Sequence, residues 1–199
     1  MEVENGVNPG LILSEEKTHL RPIDEGFDFL GFHLRKFNGK LITTPSHKKV
    51  TRFREMLKSF LKESHNLPFD VMLRKLNSKL RDWAFANRQV VAKRLFNALD
   101  NEIYQWLCRW LRRRHRNKTW AWIKHRYSSR IEGSNNIGTF VVNKQGERQW
   151  LGLFRMGDVP ILRHVKIRGE ANPYDPVYRE YFKDRSARQR RRRDYDRLF

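Results

Sequence analysis

A single cysteine in 199 residues, Cys108, leaves no partner for an intrachain disulfide and excludes a zinc site built on two or more thiolates of this chain. Its plain reading is a small apolar residue on a helix. No apolar run approaches the length needed to cross a bilayer. The opening residues MEVENGVNPG carry neither a basic start nor an apolar stretch, so there is no export signal to read and a cytoplasmic location is expected. Acidic residues are scarce, 22 against 42 lysines and arginines, which gives a formal net charge of +20. An imbalance of that size points to a polyanionic partner. Nucleic acid is favoured over a membrane surface because the cations are interleaved with six Trp, six Tyr and thirteen Phe, rings able to serve both core and stacking.

The length suits one modest domain with appendages, or two small ones. In residues 27–45, FDFLGFHLRKFNGKLITTP, two extended runs flank Asn38-Gly39, the dipeptide that best supplies the positive φ angles of a type I′ turn, so a β-hairpin is expected. Ser46, after Pro45, can cap a helix carrying Val50, Phe53, Leu57, Phe60 and Leu61 at helical spacing. Leu67-Pro68 interrupts the pattern. A second amphipathic helix then follows on Leu73, Leu76, Leu80 and Trp83, and a third runs from about Val90 to Arg113 on Leu95, Leu99, Ile103, Trp106, Leu107 and Trp110. WLRRRHRNKTWAWIKHRY at 110–127 ends that helix and resumes as a short fourth one beyond Asn117-Lys118-Thr119. A second hairpin is expected over 139–154, and the texture changes between Tyr127 and Gly138. After Pro160 periodicity is lost, and the closing RSARQRRRRDYDRLF reads as a disordered basic tail. The expected class is mainly α with minor β: a hairpin leading into a three-helix bundle, then a small irregular α+β basic module. The expected divisions are residues 1–45, 46–130 and 131–199.

Lys48, Lys49, Arg52, Arg81, Arg88, Lys93, Arg94 and Arg109, taken one at a time, are an ordinary solvated face. Together they are not, because a solvated face mixes both signs and here the acids are too few; phosphate contact accounts for the excess. The strongest candidate site is Arg112, Arg113, Arg114, His115, Lys118, Lys124, His125 and Arg126, since Arg pairs with phosphate bidentately and stacks on bases. Periodicity puts Trp106 and Trp110 in the core, and splits Trp120 and Trp122 between core and an RNA-facing surface. The histidines His33, His47, His65, His115, His125 and His164 show no metal-binding spacing, so no metal and no cofactor are expected. Asp24, Glu25 and Asp28 read as turn chemistry rather than a nuclease centre.

In this order the segments resemble the C-terminal part of a group II intron reverse transcriptase/maturase, over nearly the whole chain. GLILSEEKT at 10–18 is similar to the end of the palm, and FDFLGF at 27–32 to the passage from palm to thumb. LRDWAFANR at 80–88 resembles the maturase block, usually Leu-Arg-Gly-Trp-x-x-Tyr-Tyr; Asp82 replaces the Gly and Phe85-Ala86 depart from the hydroxylated aromatics. WLRRRHRNKTWAWIKHRY matches the next basic–aromatic block, and VPILRHVKIRGEANPYDPVYREYFKDR at 159–185 resembles the stretch preceding an HNH endonuclease. The resemblance implies an RNA-binding maturase domain with a thumb-like bundle. It would stabilise folded intron RNA to assist splicing, with structured group II intron RNA as partner. It further implies target DNA as a partner of the region after the maturase domain, here Arg185, Arg188, Arg190, Arg191, Arg192 and Arg193, through backbone contacts. The polymerase's Tyr-Ala-Asp-Asp turn and its metal-binding carboxylates are not among these residues, so no polymerase or nuclease activity is expected of the chain by itself. Two rival readings remain: the C-terminal half of a split reverse transcriptase completed by a separate palm chain, and a nonfunctional mobile-element remnant.

Overall fold

A computed structural model describes residues 22–131, 134–143, 145–162 and 167–196; the segment 10–18 and His164 lie outside the described residues. The chain divides into two units, Met1–Arg163 and His164–Phe199. The architecture is mainly α with minor β.

The first unit begins with an antiparallel meander, β1 (Phe27–Phe29), β2 (Phe32–Phe37) and β3 (Lys40–Pro45). Asn38 and Gly39 turn with φ of 47° and 74°, and Phe37 faces Lys40 across them, as the dipeptide predicts. The hairpin has one strand more than expected. Leu30 (φ 48°) and Gly31 (φ 77°) form another two-residue turn that pairs Phe29 with Phe32. A leucine in the left-handed region costs about 1–2 kcal/mol, so turn propensity gives no hint of this one.

Three helices follow: α1 (His47–Glu63), α2 (Phe69–Asn87) and α3 (Lys93–Arg114). Ser46 caps α1 by accepting from the Lys49 amide at 3.3 Å. The apolar stripes close on one another, with Leu57, Leu73, Leu76, Leu80, Phe96, Leu99 and Leu107 fully buried. Phe53 stacks on Trp83 at 4.4 Å, and Phe96 meets Trp83 edge-on. Arg54 of α1 forks onto Glu102 of α3 at 2.7 and 2.8 Å, and that hydrogen-bonded carboxylate raises the arginine's pKa. Beyond the turn at Asn117–Thr119, α4 (Trp120–Tyr127) is capped by Thr119 and anchored by buried Ile123.

The change of texture after Tyr127 does not end the core. β4 (Ser128–Ile131), β5 (Ser134–Val142) and β6 (Arg148–Gly152) form a second antiparallel sheet, again one strand more than the expected hairpin. Ile137, Leu153, Met156 and Val159 join the helical core. The buried Asn77 of α2 donates to the Gly152 carbonyl at 2.8 Å and accepts from the Phe154 amide at 2.9 Å. Asp100 of α3 accepts from the Met156 and Gly157 amides at 3.0 and 2.7 Å. Lys93 donates to the Gly157 and Val159 carbonyls.

In the second unit, a 3₁₀ turn at Pro176–Tyr178 leads into α5 (Arg179–Asp196). The tail read as disordered is helical here up to Asp196. Its Arg, Gln and Ala are good helix formers, and that propensity acts without the apolar stripe on which the sequence reading relied.

Candidate nucleic-acid interface

Between Glu102 and Glu132 the chain carries no acidic residue and nine lysines and arginines. This stretch forms the second half of α3, the turn after it, α4 and β4. The fold therefore gathers the acid-free run at one end of the bundle. Trp110 is buried and Trp106 half-buried, so the apolar side of α3 fixes the helix that carries the cations.

The aromatic residues of the turn then brace the basic ones. The guanidinium of Arg112 lies 4.5 Å from the ring centroid of Trp120, which packs on the core, and the Lys118 ammonium lies 5.4 Å from that of the exposed Trp122. His115 sits edge-on to Trp122 and shares a 2.9 Å hydrogen bond with the Tyr127 hydroxyl. Burial lowers the imidazole pKa, and the neighbouring charges of Arg114, Arg126 and Lys118 lower it further. The side chains of Arg109, Arg113, Lys124 and Arg126 make no hydrogen bond among the described residues, and all four residues are exposed.

Arg114 has a different job. Its guanidinium donates to the carbonyls of His65 and Leu67, at 2.9 and 2.7 Å, and lies over Trp110. It ties the α1–α2 connection to the end of α3. Lys93 is likewise occupied by the carbonyls of the 156–159 turn. Both were predicted as RNA contacts; the structure gives each a bracing role that spacing along the helix could not reveal, since the partners lie about fifty residues or more away.

A second group of candidates collects around the start of α1. Lys48 and Arg52 are exposed, while Lys49 is half-buried with its ammonium 4.1 Å from the Phe32 centroid, and burial lowers its pKa. All three border an open groove of about 510 Å³ with Leu30, Met56 and Trp83. Arg81 of α2 and Arg88, which caps its end, rest over Phe154 and Phe85 at 5.3 and 4.8 Å. In the second unit Arg185 is half-buried and Arg188 exposed on α5; the side chains of Arg190, Arg191, Arg192 and Arg193 lie outside the described residues.

The sequence reading did not single out Arg116, exposed in the α3–α4 turn, or Tyr127, the partner that holds His115. Arg116 was legible, since it continues the run Arg112 to Arg114. Tyr127 was not, because its role depends on α4 folding back toward His115. Among the described residues no cluster of His, Cys, Asp and Glu is placed to hold a metal ion, and no helix is long and apolar enough to cross a membrane.

Residues 50–128 match the family described as group II intron, maturase-specific domain. No curated protein matches the chain. The matched span starts in α1 and closes at the first residue of β4, so it contains the helical core and the whole basic–aromatic end of the bundle.

Proposed function

We propose that this chain, which carries a maturase-specific domain, binds folded group II intron RNA through phosphate contacts and shape, and thereby stabilises the ribozyme for splicing. The observation that carries the reading is the acid-free run folded onto one rigid helix end, where Arg112 and Lys118 are held over tryptophan rings. Folding an RNA brings phosphates together at a high electrostatic cost, and a fixed cationic surface offsets it. No catalytic group is required of the protein, because the reacting centre belongs to the RNA. Arg112, Arg113, Lys118, Lys124 and Arg126 form the main contact surface, with Lys48, Arg52 and Arg109 as outlying phosphate contacts.

The test is titration of the purified chain with folded intron RNA over a series of salt concentrations. Affinity should fall along a log–log line with a slope of several units, and folded intron RNA should compete better than an unrelated RNA duplex. Affinity indifferent to salt, or equal affinity for the two RNAs, overturns the proposal.

A further inference from the structure

We propose that the cleft between α3 and the β5–β6 sheet receives an unpaired nucleobase, adenine by preference, of the RNA whose phosphates lie on the basic end of α3. This rests on the RNA-binding reading above. The cleft encloses about 350 Å³, bordered by Asn97, Asn101 and Tyr104 of α3, Asn136 of β5, and Leu153 and Phe154 after β6. A base needs apolar walls for its faces and groups at its edge that both donate and accept. Leu153, Phe154 and Tyr104 supply the first. The asparagines supply the second, since a carboxamide carries two donors and an acceptor and can meet the N6 and N7 positions of adenine together.

The amides are also at liberty to do so. The side-chain amides of Asn97 and Asn101, one turn apart and exposed, make no hydrogen bond among the described residues. Asn136 spends one donor on the Leu153 carbonyl at 3.2 Å, which orients its amide and leaves its oxygen over. Asp100, also on the border of the cleft, is taken up by the Met156 and Gly157 amides, so it holds the wall in place. Arg155 lines the cleft as well, and its charge acts on that of Asp100, so the border holds one charge of each sign and suits a neutral base.

Position supports the same occupant. Asn101 and Arg112 are eleven residues apart, three turns along one side of α3, which places them about 16 Å apart along the axis. Gln105 and Arg109 are exposed between them. A few unpaired nucleotides span that distance, with backbone on the cations and a base in the amide cleft.

The probes are one RNA hairpin in three forms: blunt, with a 3′ overhang of four adenosines, and with four uridines. The wild-type chain should prefer the adenosine form over the uridine form by about tenfold. Asn101→Ala, at an exposed position and checked by thermal melting for an intact fold, should bring the two within twofold while leaving affinity for the blunt hairpin unchanged. If Asn101→Ala keeps the preference, weakens all three forms alike, or the wild type never distinguishes them, the cleft is not a base site and the phosphate reading still stands. If the wild type binds none of the three, the RNA-binding reading falls with it.

Discussion

Three consecutive arginines with identical charge divide by what each guanidinium meets. Arg113 is exposed, Arg112 lies over Trp120, and Arg114 holds two carbonyls of the α1–α2 connection. Arg113→Gln should therefore leave the melting temperature unchanged while reducing the salt slope of RNA binding by about one. Arg114→Gln should do the reverse, costing about 1.5 kcal/mol of stability and leaving the slope nearly intact. Equal loss of slope in both variants, read from paired titrations and melts, would place Arg114 on the RNA after all. His115 offers a second test. Its folded pKa lies below the ordinary 6.5, so between the two values the unfolded chain binds more protons and stability falls as the pH falls. From pH 7.5 down to about 5.5 the wild type should lose more stability than His115→Gln, whose amide can keep the Tyr127 hydrogen bond. Parallel melting curves for the two proteins would show that the imbalance at His115 is absent. None of these distinctions is written locally, because the groups facing Arg114 and His115 come from other elements.

Elements were more legible than residues where a stripe of apolar side chains meets a partner. The leucines and tryptophans of α1, α2 and α3 announce helices because burial at period 3.6 is what holds them, and Ser46 announces the start of α1 through capping. The β1 strand was hidden because its turn uses a leucine in a glycine-like conformation, and α5 because its helix has no apolar face for a pattern to show. The asparagines of the proposed nucleobase cleft were equally opaque, since Asn136 reaches α3 only through the packing of the second sheet. That packing turns on one side chain. Asn77 satisfies a backbone carbonyl and a backbone amide on the far side of the α2–sheet boundary. Asn77→Ala leaves both unpaired and should cost roughly 3 kcal/mol. Denaturant unfolding measures this; a loss below about 1 kcal/mol would mean that water replaces the amide.

Over the whole molecule, the charge balance read from composition points to the proposed polyanionic partner, while the placing of the proposed contact surface draws on the fold. Composition counts cations without saying which are consumed in bracing, as Lys93 and Arg114 are. The acid-free run between Glu102 and Glu132 has a further effect on the protein alone. Crowding like charges at one end of the bundle puts the free protein under its own electrostatic pressure, which dissolved ions relieve. Its melting temperature should rise from low to physiological salt, the range in which RNA affinity falls, and the rise should shrink when Arg112, Arg113 and Arg116 are replaced together by Gln. A melting temperature that falls with salt in the wild type would contradict this. The two salt responses then have one source: the repulsion that loosens the empty protein is the work returned when phosphates arrive, so any polyanion, even one never recognised in sequence or shape, should act as a folding aid for this chain.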